Sequence, residues 1–480
     1  MKKIVSVLLL VCMLLGVLSL SACSEKKTMG GAFEVPEGGY DGSEVTITFY
    51  HTMGQNLRDV LDKYIPLFNE MYPNIHIEHS QVGSYDDVRD KISKEITVGN
   101  QPNIAYCYPD HVALYNMGNA VVQLDNLIAS TVEVKRADGT TEVLGLTQEQ
   151  IADFIPGYYA EGACYGDNMM YTLPLSKSTE VLYYNKTFFE ENGLTVPTTW
   201  EEMADVCARI KEIDPDSIPL GYDSEANWFI TMCEQYGSPY TSTDGDRYLF
   251  DHETNRQFIT MFREWYKKGY VTTKAINGGA YTSKLFTKIP TEKDPAKCYM
   301  CIGSTAGAKN QIPSKGDDGK YAFEVGIATI PQVDASKPKV ISQGPSLCIF
   351  GKENSQEVIA SWLFVKYLAT CVEFQADFSR VSGYVPVIQS VKNDAVYAEF
   401  LEKADGGSYL PALSVKMALT QADAYFVSPA FNGSSNARDE VGALLQKCLL
   451  MDGNNLDANI KKAFEEAVKN CKAKDATFVG

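Results

Sequence analysis

The chain has 480 residues, of which 45% are apolar and 11% aromatic, enough to build cores for two or more domains. Its 61 acidic residues outnumber 43 basic ones, giving a net charge of −18. Such a surface repels phosphate backbones and anionic headgroups, which argues against nucleic-acid binding and against docking on membranes through a basic patch.

The first residues read Met1-Lys2-Lys3, then a nearly unbroken apolar stretch from Ile4 to Leu20, then Ser21-Ala22-Cys23. A charged start, an apolar run and small residues before a cleavage point are the parts of an export signal. Leu20-Ser21-Ala22-Cys23 resembles the lipobox of bacterial lipoproteins, which implies that residues 1–22 are a signal peptide and that Cys23 is acylated. The expected location is the extracytoplasmic face of the cell membrane, held by lipid. Losing Lys2 and Lys3 takes the net charge from −18 to −20. Residues 23–43, rich in Gly, Ser and charge, read as a flexible tether.

The body opens on an alternating strand pattern, Val45 to Tyr50, followed by a turn at His51 to Gly54. Helical spacing of Leu57, Val60, Leu61, Tyr64, Ile65 and Phe68 follows, stopped by Pro73, and Ile75-His76-Ile77 begins another strand. Tyr85 to Val98 reads as a helix and Asn103 to Tyr108 as a third strand. This alternation predicts an α/β domain with a largely parallel sheet, its ligand beyond the carboxyl ends of the strands, where Tyr50, His51, Tyr108 and Asp110 lie. Thr131 to Val143 reads as a hairpin turning at Asp138-Gly139. Leu173 to Asn185 is extended, Lys186 to Gly193 a short helix, and Thr199 caps the helix that follows. Further on come a helix from about 255 to 268, strands at 298–302, 322–330 and 347–350, one long helix over 356–377, and two closing helices near 434–451 and 456–472.

No serine-hydrolase elbow, zinc-protease helix, phosphate-binding loop or dinucleotide fingerprint occurs, so no catalytic residue and no cofactor is assigned. His76-Ile77-Glu78-His79 is a poor metal site, because on a strand His79 faces away from the other two. Of the 12 cysteines, Cys12 lies in the signal and Cys23 takes lipid; the rest, standing singly apart from Cys298 and Cys301, read as buried free thiols. The 28 tyrosines are notable, since rings with a polar tip suit stacking on sugars.

The order of motifs resembles the extracellular solute-binding proteins of carbohydrate ABC importers over nearly the whole mature chain. The stretches are Phe68-Asn-Glu-Met-Tyr-Pro-Asn-Ile75, Val98-Gly-Asn-Gln-Pro-Asn-Ile104, Leu173-Pro-Leu175, Leu182-Tyr-Tyr-Asn-Lys186, Pro197-Thr-Thr-Trp200 and Ser382-Gly-Tyr-Val-Pro386. Within that family the chain is most similar to the sn-glycerol-3-phosphate-binding branch. The resemblance implies ligand contacts at Tyr85, Ser178, Trp228, Ser304, Gly344, Tyr384 and Arg438, with Arg438 placed to hold a phosphate bidentately. One departure is that the branch's acidic ligand residue falls at Pro109, with Asp110 one place on, which leaves a saccharide open as the ligand beside a glycerol phosphate. The implied fold is periplasmic-binding-protein-like, with two α/β lobes, a hinge and a cleft. Lobe one would be 44–175 plus 345–426, and lobe two 176–344 plus 427–480. The implied partners are a small solute and ABC permease subunits, reached by a monomer whose lobes close on the solute. The rival readings are a surface glycoside hydrolase, which needs a carboxylate pair, and a sugar-binding sensor or adhesin.

Overall fold

A computed structural model describes residues 30–477, apart from 166, 167, 292, 294, 404 and 405. The signal peptide, Cys23 and the first part of the expected tether therefore lie outside the described residues. From residue 30 the tether reading is corrected. Gly31–Ala32 pairs in parallel with Val122–Gln123, Phe33 and Val35 pack on the first core, and Tyr40 is buried in it. Polar composition hid three aromatic or branched side chains that have a core to cover.

Two sheets organise the rest. The first runs in the order Ile75–Gln81, Val45–His51, Ile104–Cys107, Ser346–Ile349, Thr172–Pro174. Its first three strands are parallel and Ser346–Ile349 runs against both its neighbours. Helices Gln55–Met71 and Tyr85–Ile96 make the crossovers, and Ser355–Thr370 packs Val358, Phe364 and Leu368 into the same core. The single helix expected over 356–377 is two, Ser355–Thr370 and Val372–Ser382, because Cys371 between them is extended at φ −78° and ψ 111°.

The second sheet runs Val271–Thr273, Leu220–Tyr222, Met300–Ser304, Ser178–Asn185, Val340–Gln343, Tyr425–Phe426, with Val325–Ala328 also on Ser178–Asn185. Helices Trp200–Ile213, Glu225–Tyr236, Glu253–Lys267, Ser434–Leu450 and Leu456–Thr477 belong to this lobe, whose core holds Trp200, Trp228, Phe262 and Leu445. Thr199 caps the first of them in a reciprocal box with Glu202. Tyr425–Phe426 belongs to this sheet, so the boundary expected at 427 comes slightly earlier. Helix Gly406–Thr420 packs both ways, with Ala412, Val415 and Ala418 in the first core and Leu410 among the second lobe's side chains.

The lobes are joined where the chain crosses between the sheets, at 175–177, at 344–345 and just before Tyr425. The extended stretch read as one strand over 173–185 is two strands of different sheets, split at the first crossing. There Lys177, wholly buried, pairs with Glu161 at 2.6 Å and bonds Ser346 Oγ at 3.2 Å. Gly344 at the second crossing has φ +107°, and a Cβ there would sit 2.6 Å from the Ser176 carbonyl oxygen, so the crossing segments pass each other only because this residue has no side chain. The ten cysteines of the described chain are free thiols, with Cys164 and Cys371 partly exposed and the others buried. No helix among the described residues is long and apolar enough to cross a membrane.

Candidate functional site

Between the lobes lies a cleft of about 480 Å³. On the first lobe its wall is built at the carboxyl ends of the parallel strands. Ser84 caps helix Tyr85–Ile96 in a box with Asp87, which sets Tyr85, Asp86 and Arg89 on the one face that looks into the cleft. Tyr108 and Asp110 follow strand Ile104–Cys107 directly. The Tyr85 and Tyr108 rings stack at 4.6 Å between centroids, and the Tyr85 and Tyr384 hydroxyls are 3.4 Å apart. Burial and neighbouring phenols raise Tyr85 well above the ordinary tyrosine range, so it stays a neutral hydroxyl. Tyr384 is held there by Gly383, at φ +97°, where a Cβ would meet the Thr305 carbonyl oxygen of the other lobe at 2.5 Å.

The second lobe contributes Ser178, Glu180, Asp223, Asn227, Lys274, Tyr281, Ser304, Gln343, Arg438 and Asp439. Ser435, Arg438 and Asp439 share one face of helix Ser434–Leu450, three and four residues apart. Arg438 Nη2 donates to Asn227 Oδ1 at 2.7 Å, and Asn227 Nδ2 donates to Glu180 Oε1 at 3.0 Å and to Gln343 Oε1 at 2.9 Å. Tyr222 donates to the other Glu180 oxygen at 2.6 Å. Among the described residues no carboxylate lies within 4.0 Å of the Arg438 guanidinium, while Asp439 pairs with Arg89 at 3.3 Å and Glu440 with Lys474 at 2.9 Å. The acids beside Arg438 in sequence are therefore committed elsewhere.

Burial pushes Glu180 up to about 7, against the donors Tyr222 and Asn227 and the charge of Arg438, which all favour the carboxylate. Burial likewise raises Asp223, although it accepts from the Thr282 N–H at 2.6 Å and hydroxyl at 2.7 Å. At Asp110 burial acts upward too, but His111, Arg438, the Ser435 hydroxyl and Arg89 outweigh it and hold the carboxyl below its usual range. The cleft thus carries Asp86, Asp110, Glu180, Asp223 and Asp439 against Arg89, Lys274 and Arg438. The lobes also touch directly: Arg89 reaches Asp439, and Ser435 of lobe two donates to Asp110 of lobe one at 2.7 Å.

Of the residues expected from the sequence, Tyr85, Asp110, Ser178, Ser304, Tyr384 and Arg438 line this cleft. Four do not. Trp228 is fully buried in the second core, stacked on Tyr222 at 4.8 Å, because the face of helix Glu225–Tyr236 it occupies packs on the sheet while Asn227 points to the cleft. His51 is fully buried, accepting from the Met53 N–H at 3.1 Å and bonding His79 at 2.8 Å; burial lowers it to about 3, and Thr52 is the cleft residue. Tyr50 packs on the side of the first lobe under the Lys91 ammonium, 5.0 Å from its ring centre. Gly344 shapes the crossing and does not line the cleft. Residues that sequence reasoning missed are Glu180, Asn227, Asp223, Gln343 and Arg89. Only Arg89 had a local signal, its helical spacing from Tyr85. Among the described residues no group of three or more His, Cys, Asp or Glu is arranged to hold a metal ion.

Two α/β lobes, joined by crossing segments and enclosing a polar, aromatic cleft, define a two-lobed ligand-binding protein. The chain belongs to the bacterial extracellular solute-binding protein family, whose profile matches residues 63–403. Among curated relatives it is similar to the sn-glycerol-3-phosphate-binding periplasmic protein UgpB of Escherichia coli (strain K12), 25% identical over 382 residues, covering 75% of this chain and 78% of that one. The Shigella flexneri protein of the same name is 26% identical over 385 residues, at 75% and 78% coverage. Among solved structures, UgpB from Mycobacterium tuberculosis in complex with glycerophosphocholine matches with a TM-score of 0.70 at 16% identity, over 90% of this chain and 98% of that one. The cyclic alpha-maltosyl-1,6-maltose binding protein from Arthrobacter globiformis matches with a TM-score of 0.64 at 17% identity, over 90% and 100%. These two likenesses establish the shared fold.

Proposed function

We propose that this protein is the substrate-binding lipoprotein of an ABC importer, anchored through Cys23, which captures a hydroxylated solute carrying one anionic group, of the glycerol-phosphate type. It works as a monomer without enzymatic activity and hands its solute to membrane permease subunits. The observation that carries the ligand reading is Arg438, a cleft guanidinium whose sequence neighbours Asp439 and Glu440 pair with Arg89 and Lys474 and whose bonded partner is the neutral amide of Asn227. A guanidinium so placed is free to bind an anion in two-pronged fashion. The names of the relatives, which bind sn-glycerol-3-phosphate or glycerophosphocholine, support the same class. Tyr85, Tyr384 and Asp110 act from lobe one and Ser178, Ser304 and Arg438 from lobe two, so a ligand bridging them favours the closed form over the open one.

A neutral saccharide is the second reading, favoured by the excess of carboxylates in the cleft and by the Tyr85–Tyr108 stack, since carboxylates accept from sugar hydroxyls and rings cover sugar faces. Thermal-shift measurement with glycerol-3-phosphate, glycerophosphodiesters and oligosaccharides separates the two. A solute at 100 times its dissociation constant stabilises the fold by about 2.7 kcal/mol. Under the first reading a phosphorylated compound gives that shift and Arg438→Ala abolishes it. A shift from oligosaccharides alone, retained in Arg438→Ala, selects the second.

A further inference from the structure

Past Arg438 the cleft continues into a smaller annex of about 60 Å³, reached between Tyr108, Asp110, Asn227, Gln343 and Arg438, which line both spaces. Its far walls are lobe-two segments next to two of the crossings, 341–343 and 427–429, with Glu161 and Tyr240 beside them. Four oxygens on these walls, Tyr240 OH, Ser342 Oγ, Ser428 Oγ and Glu161 Oε2, are buried and have no hydrogen-bond partner among the described residues. Tyr240 is 9% exposed and Glu161 4%. The other Glu161 oxygen is taken by Lys177 at 2.6 Å, which also matches its charge.

A buried oxygen left without a partner is penalised, so an apolar occupant would leave four such oxygens in the wall. A phosphate here would meet the free Glu161 oxygen and the Asp110 carboxylate, which only accept, so the wall calls for a small hydrogen-bond donor. One carbon and one hydroxyl fit. The hydroxyl would donate to the free Glu161 oxygen and accept from the phenol or a serine. We propose that the annex is a subsite for a terminal hydroxymethyl group of the bound solute, seated beyond Arg438. Its walls adjoin two of the crossings, and Glu161 clasps Lys177 of the third. A hydroxymethyl group there sits next to the chain that bends when the lobes move, which links its binding to the hinge angle.

The inference rests on the reading that the cleft holds a hydroxylated solute, and it applies to the end of a glycerol or to C6 of a hexose. Calorimetric titration with two matched pairs tests it: glycerol-3-phosphate against propane-1,2-diol 1-phosphate, and methyl glucoside against methyl xyloside. Each pair differs in one hydroxymethyl group, replaced by methyl or hydrogen. Because sites built to bond a hydroxyl reject the analogue lacking it, wild type should prefer the hydroxymethyl member of one pair at least about tenfold; which pair shows it identifies the source. Ser428→Val, which fills the annex, and Tyr240→Phe, which removes one oxygen, should erase that preference, with the lesser member held to within about twofold and the ligand-free unfolding midpoint unchanged. Should Ser428→Val not fold, Tyr240→Phe decides alone. Equal wild-type affinities within each pair, a preference that survives both variants, or equal weakening of both members would each overturn the subsite. Failure of all four compounds to bind would overturn the solute class, and the subsite with it.

Discussion

Glu180 lies at the floor of the cleft with a carboxyl titrating at about 7, raised chiefly by burial. Because its folded value exceeds its unfolded one, the folded chain holds a proton that the unfolded chain has released over the window from about 4.5 to 7, and the stability contributed by this group falls as pH rises through that window. The consequence for binding has the same sign. Ionised Glu180 competes for Asn227 and Arg438 and repels an anionic ligand; protonated Glu180 does neither. Affinity for a glycerophosphodiester, whose own charge is constant across neutral pH, should therefore weaken up to about tenfold from pH 6 to pH 8, while Glu180→Gln gives a flat profile by calorimetry. A sloping profile in Glu180→Gln would assign the titration to another cleft acid raised by burial, Asp223 or Asp439. The nearest neighbours Asn227 and Trp228 illustrate how fine the placement is: one residue apart on a helix, one completes the site and the other fills the core.

At the scale of elements, helices Tyr85–Ile96 and Ser434–Leu450 face each other across the mouth of the cleft and meet through Arg89 and Asp439. The side chains are 11% and 41% exposed, so the pair is partly screened and is expected to contribute no more than about 1 kcal/mol to closure. Asp439→Asn should weaken ligand affinity by up to about fivefold, the equivalent of that figure. It should also raise the ligand-free radius of gyration in small-angle scattering, since more molecules stand open. Arg89 keeps Asp86 and Asp90 as partners, so thermal stability should stay close to wild type. An unchanged radius together with unchanged affinity would show that this contact does not hold the lobes together.

For the whole molecule, the two cores are separately built around their own sheets, and the cleft lies between them rather than within either. Binding and anchoring are therefore expected to be separable. Cys23→Ala should move the protein from the membrane fraction to the soluble one and leave the dissociation constant of its solute unchanged. The folded body begins by residue 31, where Gly31–Ala32 joins the first lobe, which shortens the tether expected over 23–43. Under the proposed anchoring at Cys23, the body would lie close to the bilayer.

Much of the architecture was legible locally. The alternation of Val45 to Tyr108 specified a parallel sheet, Thr199 and Asp138-Gly139 marked a helix start and a hairpin turn, and the order of motifs indicated two lobes. Local pattern determines the period of an element and the residues at its ends; Tyr85, Tyr384 and Arg438 are named through the family resemblance. Which face of an element meets the cleft, and which acid meets which base, depends on partners far away in the chain. Arg438 bonds a residue 211 positions distant, and Arg89 one 350 positions distant. Those pairings come from the packing of two lobes against three crossings, where each lobe buries one neighbour, Trp228 or His51, and leaves the other, Asn227 or Thr52, to the cleft. The sequence by itself determined the class of protein and the kind of cleft; the tertiary structure alone decided which side chains look into it, because burial is a property of the assembled lobes and not of any segment.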